Sequence, residues 1–215
     1  MKIFISGAIG VGKTTLAELL SRELDLPIYV EPVDDNPVLP LFYENPKEYA
    51  FMLQIYFLSH RIKNTREMMA MDDYIADRSL YEDKLFFHAI RDSGRATDLQ
   101  VTVYDEMDSA VTTGILEDER YRPDLMVFID LSEEEMLRRI RQRGRDYEQF
   151  EDDPSLRDYY ILLLKRYKEW IADYDASPKL IIDGNTLDLL NDSGHQEAVI
   201  SQIKEQLGTI YSAKG

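Results

Sequence analysis

Residues 2–14 read Lys2-Ile3-Phe4-Ile5-Ser6-Gly7-Ala8-Ile9-Gly10-Val11-Gly12-Lys13-Thr14. A short apolar run feeds directly into G-x-x-x-x-G-K-[ST], the phosphate-loop pattern. Glycines let the backbone turn tightly enough to aim its N–H groups at a polyphosphate. The lysine then reaches the outer phosphates, and the threonine hydroxyl binds Mg²⁺. Beyond the loop, Leu16, Leu19, Leu20 and Leu24 recur at helical spacing, so a helix starts there and adds its positive dipole end to the anion. Strand, loop and helix together predict a nucleoside triphosphate site at Gly7, Ala8, Ile9, Gly10, Val11, Gly12, Lys13 and Thr14.

The same alternation continues along the chain. Strands are expected at Lys2–Ser6, Pro27–Glu31, Tyr74–Asp77, Leu125–Asp130 and Lys179–Asp183, separated by longer helical patterns. Strands alternating with helices specify βαβ units. The expected fold is α/β, a P-loop NTPase-like five-stranded parallel sheet flanked by helices. Asn45-Pro46 and Asp153-Pro154 each offer an N-cap followed by a first-turn proline. Ser79 with Glu82 and Ser132 with Glu135 read as capping boxes. A long helix is expected from Pro46 to about Met71, and a last one from about Gly194 to Tyr211 with a frayed Ser212–Gly215 tail. No repeat, linker or composition break divides residues 1–215, which are read as one domain.

Bulk composition excludes several classes of function. Forty-one acidic against 25 basic residues give a net charge of −16, a surface that repels nucleic acid polymers and anionic membranes. The absence of cysteine excludes disulfides and thiol catalysis, and three scattered histidines suggest no metal site. No stretch approaches a membrane span. Gly7, Gly10 and Gly12 interrupt the N-terminal apolar run too early for a secretory signal, so a cytoplasmic protein is expected.

Three clusters narrow the chemistry. The first is carboxylates at strand ends, where ligands gather in such folds. Phosphoryl transfer needs one carboxylate for Mg²⁺ and one to accept the acceptor's hydroxyl proton. Glu31, followed by Pro32 that keeps the chain extended, and Asp77, followed by Arg78, can fill both roles, and Arg78 can stabilise developing charge. Asp130 competes for the metal site. The second cluster is Arg138, Arg139, Arg141, Arg143 and Arg145, five arginines in eight residues ended by Gly144. Helix-end arginines complement the dipole, but this density fits an arginine-rich lid over a triphosphate. In the third, Gln54 and Arg61 lie seven residues apart on one helix face. The glutamine amide offers a donor beside an acceptor, the complement of a nucleobase edge. Tyr167 and Trp170 read as core.

In order and spacing, these residues resemble the deoxyribonucleoside kinases. The resemblance rests on the loop, Glu31-Pro32, Tyr43, the Gln54-to-Arg61 helix, Asp77-Arg78-Ser79 with Asp83, and Arg143-Gly144-Arg145 with Glu148. The runs Val33-Asp34-Asp35-Asn36-Pro37 to Tyr43-Glu44-Asn45-Pro46 and Arg143 to Gln149 look most like the bacterial deoxyadenosine/deoxyguanosine kinases. The resemblance implies ATP and Mg²⁺ as cofactors, with Thr14 and Asp77 at the metal and Arg139, Arg143 and Arg145 as lid groups. Glu31 is implied as general base with Arg78 beside it, although descriptions of the family also give that role to the Asp77 position. Several members carry Glu where this chain has Asp77, which sets the carboxylate back by one methylene. Tyr43 and Glu148 would grip the deoxyribose, and Gln54 would read the base with Asp83 and Arg61. Phe87 would stack on the base, and the Asp183-Gly184-Asn185 loop would border adenine. The implied activity is 5′-phosphorylation of deoxyadenosine or deoxyguanosine by a homodimer, or a heterodimer with a close paralogue. The competing activity is a monophosphate kinase of the thymidylate kinase type, but its acceptor phosphate would face Glu31 and Glu148. A nucleotide switch lacks its Asn-Lys-x-Asp motif here.

Overall fold

A computed structural model describes residues 1–31, 33 and 35–214; Pro32 and Asp34 of the expected motifs, and Gly215, lie outside the described residues. The sheet is parallel and five-stranded, with β1 (Lys2–Ser6), β2 (Ile28–Tyr29), β3 (Tyr74–Asp77), β4 (Leu125–Asp130) and β5 (Lys179–Asp183) in the order β2-β3-β1-β4-β5. Ile3, Phe4 and Ile5 in the middle strand are fully buried. A continuous apolar run is what a parallel strand covered on both faces requires. β1 pairs with β3 on one side and β4 on the other, so the chain reverses its direction of winding at β1. Ligands bind at that switch point, beyond the strand carboxyl ends, and the phosphate loop follows β1 there.

The helices are α1 (Lys13–Leu24), α2 (Leu39–Glu44), α3 (Pro46–Met68), α4 (Asp83–Asp92), α5 (Asp98–Leu116), α6 (Glu133–Arg143), α7 (Pro154–Asp173) and α8 (Ser193–Lys214). Asp153 caps α7, its Oδ1 accepting from the Leu156 N–H at 3.1 Å. Asn45 does not cap α3 with its side chain, because its amide donates to Glu48 Oε2 at 2.7 Å instead. At Ser132 only half the box forms. Its hydroxyl accepts from the Glu135 N–H, but Arg138 and Arg139 draw the Glu135 carboxylate away. Thr97 and Gln100 form a reciprocal box at α5 that the sequence reading missed. α8 continues through the segment expected to fray, to Lys214.

β2 is shorter than expected, for a reason that shapes the site. Its register pairs Tyr29 with Ala76, so Glu31 would have to pair with Arg78. Arg78 lies just past the end of β3, and although its N–H still makes the last bond toward β1, to Ile5 O at 3.0 Å, its φ of 77° turns the backbone away from a continued pairing with β2. Glu31 is thereby released from the sheet.

Gly7, at the turn out of β1, has a φ of 141°, and a Cβ there would lie 2.9 Å from Ile129 O and from Val11 Cγ2. The first contact is with backbone and cannot yield. Gly7→Ala is therefore expected to destabilise the fold by on the order of 2 kcal/mol. For a chain of this size that lowers Tm by roughly 4–8 °C in a thermal melt.

Candidate active site

A cavity of about 340 Å³ opens beyond the carboxyl ends of β1, β2 and β3. At one end lie Ile9, Gly10, Lys13 and Thr14 of the loop with Asp77. At the other lie Leu53, Gln54, Phe57 and Arg61 of α3. Glu31 and Arg78 stand between them, and Tyr43, Arg143, Arg145 and Glu148 close one side.

At the loop end, Lys13 Nζ donates to Ala8 O at 2.8 Å. Burial, then the neighbouring charge of Arg78, pushes its ammonium down to about 7, against the upward pull of Asp77, Glu82 and Glu31. A polyphosphate would supply the counter-charge that burial denies it. Thr14 Oγ1 donates to Asp77 Oδ2 at 2.5 Å. Asp77 Oδ1 is buried and without a hydrogen-bond partner among the described residues. Burial raises the Asp77 carboxyl, although Lys13, the Thr14 hydroxyl and Arg78 oppose it. A hydroxyl beside an uncompensated carboxylate oxygen fits a hard divalent cation such as Mg²⁺, which takes few protein ligands and completes its shell with water and phosphate oxygens. The competing Asp130 pairs with Lys168 Nζ at 2.8 Å.

Midway, four buried charges alternate in sign. Asp83 Oδ1 accepts from Arg61 Nη1, Arg61 Nη2 donates to Glu31 Oε1, and Glu31 Oε2 meets Arg78 Nε at 2.6 Å. Burial alone would raise the Glu31 carboxyl, but Arg61, Arg78 and Lys13 outweigh it and hold it below the usual carboxylate range. Gln54 is buried with Oε1 unpartnered, and Arg61 Nε is unpartnered as well among the described residues. Buried polar groups are otherwise satisfied as a rule, so a donor and an acceptor both face unfilled demand at this end. On the lid side, Arg143 and Arg145 hold the buried Glu148 carboxylate. Tyr43 packs on Tyr147 with 5.2 Å between ring centroids.

Some expected residues stand elsewhere. Phe87 is fully buried against Phe51 and Tyr104 and does not line the cavity. Its neighbour Phe86 does, 4.4 Å beneath the Arg78 guanidinium. Adjacent residues on a helix point about 100° apart, and α4 turns the second of the two phenylalanines inward. Asp83 does not face a base as expected, because it is buried outside the cavity lining with Arg61 and the Tyr104 hydroxyl on its two oxygens. It anchors Arg61 instead. Arg139 is a brace and not a lid group, since its guanidinium donates to Val11 O at 3.0 Å, Gly184 O at 2.6 Å and Leu187 O at 2.8 Å. Gly7, Ala8, Val11 and Gly12 shape the loop without lining the cavity. Asn185, in the loop expected near adenine, accepts from the Ser132 N–H at 2.7 Å. The sequence reading missed Tyr104, Tyr167 and Glu82. Tyr104 and Tyr167 are aromatics at helix-core spacing with no motif to mark them, and Glu82 is marked only as half of a capping box.

Arg61 compensates two buried carboxylates at once. Arg61→Met leaves the buried Asp83 without its cation and Glu31 with Arg78 in place of two, and is expected to destabilise by about 3–5 kcal/mol. Lys204→Met, at the exposed pair with Glu23, is expected to stay within about 1 kcal/mol. Denaturant titrations of the two variants side by side check this.

The profile of the deoxynucleoside kinase family matches residues 3–208. A deoxyguanosine kinase of Lactobacillus johnsonii is 47% identical over 205 residues, which cover 95% of this chain and 92% of that relative. A deoxyadenosine kinase of Lactobacillus acidophilus is 39% identical over 208 residues, 97% of each chain. Among solved structures, the deoxyadenosine kinase from M. mycoides with bound dATP is similar at a TM-score of 0.79 and 28% identity, over 95% of this chain and 100% of that one. With a matching profile along nearly its whole length, the chain belongs to the deoxynucleoside kinase family.

Proposed function

We propose that this chain transfers the γ-phosphoryl group of ATP to the 5′-hydroxyl of deoxyadenosine or deoxyguanosine. Nucleoside phosphorylation follows from the family; the residue roles, Mg·ATP and the purine preference are our reading. The observation that carries it is one continuous cavity joining the phosphate loop to the unpartnered amide oxygen of Gln54.

In this reading the base lies against Gln54, whose Oε1 accepts from a ring or exocyclic N–H, while Arg61 Nε–H donates to a ring nitrogen or carbonyl. The sugar sits between Tyr43 and Glu148. Its 5′-oxygen then points toward Glu31 and Arg78, in line with a γ-phosphate at Lys13. Thr14 and Asp77 would hold Mg²⁺, which when bound neutralises charge on the phosphate oxygens. Arg143 and Arg145 close from the lid side and exclude water. Glu31 accepts the hydroxyl proton. Its depressed pKa keeps it ionised, and a weak base suffices because a loose transition state makes little bond to the nucleophile before the leaving group departs. Asp77, already bound to Thr14, is the worse placed of the two carboxylates for that proton.

The purine preference rests on the deoxyguanosine and deoxyadenosine kinases among the relatives. A monophosphate acceptor fits poorly, since its dianion would meet Glu31 and Glu148. One sheet with one continuous core supports reading residues 1–215 as one domain. Leu99, Val103 and Val111 are exposed apolar residues on α5, which supports a dimer of this chain or with a close paralogue. Among the described residues no helix is long and apolar enough to cross a membrane, and the cytoplasm is the proposed location.

The deciding experiment is ADP release from Mg·ATP with deoxyadenosine, deoxyguanosine, deoxycytidine, thymidine and dTMP in parallel. Turnover with one or both deoxypurine nucleosides is expected; turnover with dTMP alone overturns the reading. Glu31→Gln is expected to lower kcat at least about 100-fold while leaving nucleoside affinity within about tenfold. Should Glu31→Gln keep near-full kcat while Asp77→Asn loses it, the two carboxylates exchange roles.

A further inference from the structure

Arg78 stands at the centre of the buried charge chain, in a backbone conformation that few non-glycine residues adopt. Such a conformation persists only where the surroundings over-determine it. Three contacts fix the guanidinium: Glu31 at Nε, the Phe86 ring beneath it, and the hydroxyl of Tyr167, which accepts from Nη1. The first two belong to the cavity. The third reaches in from α7, 89 residues further along the chain.

Tyr167 is fully buried, and its ring packs beside Phe86, Phe128 and Trp170. A phenylalanine would fill that space equally well. The hydroxyl therefore needs its own explanation, because a buried hydroxyl without partners costs about 1–3 kcal/mol. Its partners are specific and directional. Arg78 can only donate, so the phenol oxygen accepts from it, and the charge of the neighbouring Glu82 carboxylate sets which way the phenol proton turns. Glu82 is itself pinned. It accepts from the Ser6 hydroxyl at the end of β1 and from the Ser79 N–H at 3.1 Å. Tyr167 thus refers the guanidinium to α7, and the Glu82 charge beside it is tied to the central strand through Ser6, both independently of whatever occupies the cavity.

We propose that Tyr167 is a positioning residue for phosphoryl transfer: its hydroxyl, oriented by Glu82, holds the Arg78 guanidinium against Glu31. The inference rests on the reading of Glu31 and Arg78 given above. Without the hydroxyl, the guanidinium keeps its charge and its stacking but loses one of three fixed points. Groups that stabilise a transition state lose effect through misplacement of about an ångström, whereas Gln54, Tyr43 and Glu148 would still bind the nucleoside.

The test is Tyr167→Phe, made alone and in an Arg78→Lys background, with kcat, KM and the calorimetric Kd of the preferred nucleoside measured for each. The single substitution is expected to lower kcat about tenfold or more, with KM and Kd changed by less than about threefold. In the Arg78→Lys background the same substitution is expected to change kcat by less than about twofold, since coupled residues are non-additive. Trp170→Phe, which disturbs the same packing without touching the hydroxyl, is expected to leave kcat near wild type. A Tyr167→Phe enzyme with unchanged kcat, an undiminished effect in the Arg78→Lys background, or a Trp170→Phe enzyme with the same loss would each overturn the proposal. Should Tyr167→Phe not fold, Glu82→Gln takes its place, because it keeps the ring and removes the carboxylate that orients the phenol. The same kcat-selective loss is expected, and an unaffected kcat again overturns the proposal. A wild-type chain inactive on every deoxynucleoside would instead fail the functional reading and this proposal with it.

Discussion

Burying a charge is tolerable only beside an opposite one, and this protein buries four in a row. Asp83, Arg61, Glu31 and Arg78 alternate in sign with side chains almost wholly out of water. Each ion alone would face a desolvation penalty of several kcal/mol. Alternation lets every guanidinium serve two acceptors and leaves Glu31 with a cation on either oxygen. The four groups come from the start of α4, from α3, from the end of β2 and from the end of β3. Satisfying them therefore fixes how these elements meet. The two tyrosines that complete the row, Tyr104 at Asp83 and Tyr167 at Arg78, bring in α5 and α7. Four helices and two strands are held by one electrostatic condition.

That condition also explains how a strongly acidic protein can serve an anionic reactant. The cavity is lined by Lys13, Arg61, Arg78, Arg143 and Arg145 against Glu18, Glu31, Asp77 and Glu148. Arg61 and Arg78 are engaged with Glu31, and Arg143 and Arg145 with Glu148. The acceptor half is consequently neutralised within itself, which suits an uncharged nucleoside. At the loop, Lys13 finds only a backbone carbonyl as its hydrogen-bond partner among the described residues. A polyphosphate gains most at that one point, so the site sorts a charged donor from an uncharged acceptor by where its own charges are already spent.

The sheet and the loop were legible because their signals are local. A continuous apolar run means a covered strand, and G-x-x-x-x-G-K-T needs no partner to be recognised. Gln54 and Arg61 were legible for a related reason: seven residues on one helix put them on one face whatever packs against it. The misreadings all concern partner choice. Asp83 was read as facing a base, yet Arg61 and Tyr104 claim both its oxygens. Arg139 lies in an arginine-rich run but finds three backbone carbonyls. Phe86 and Phe87 are chemically identical, and only the rotation of α4 decides between them. Tyr167 shows the limit most sharply. Its spacing is that of a core residue, and it is one; its proposed second role lies in a single hydroxyl whose hydrogen-bond partner stands 89 positions away.

The placement of the two strand-end carboxylates bears on how the proposed reaction divides between them. Asp77 is still in the sheet, registered opposite Ile5, with the Thr14 hydroxyl fixed at the first turn of α1. Both groups are held by backbone hydrogen bonds, and a metal site needs that rigidity to keep its geometry while phosphate moves. Glu31 has no such support. It follows a strand of two residues at the sheet edge, and among the described residues its carboxylate is held by Arg61 and Arg78. A proton acceptor must exchange partners during turnover, giving up a hydrogen bond from a guanidinium to receive one from the 5′-hydroxyl. Side-chain contacts can be exchanged at far lower cost than ladder bonds. The same reasoning gives Arg78 its strained backbone and its tether to Tyr167: if Glu31 is to move between partners, the cation beside it has to stay where it is.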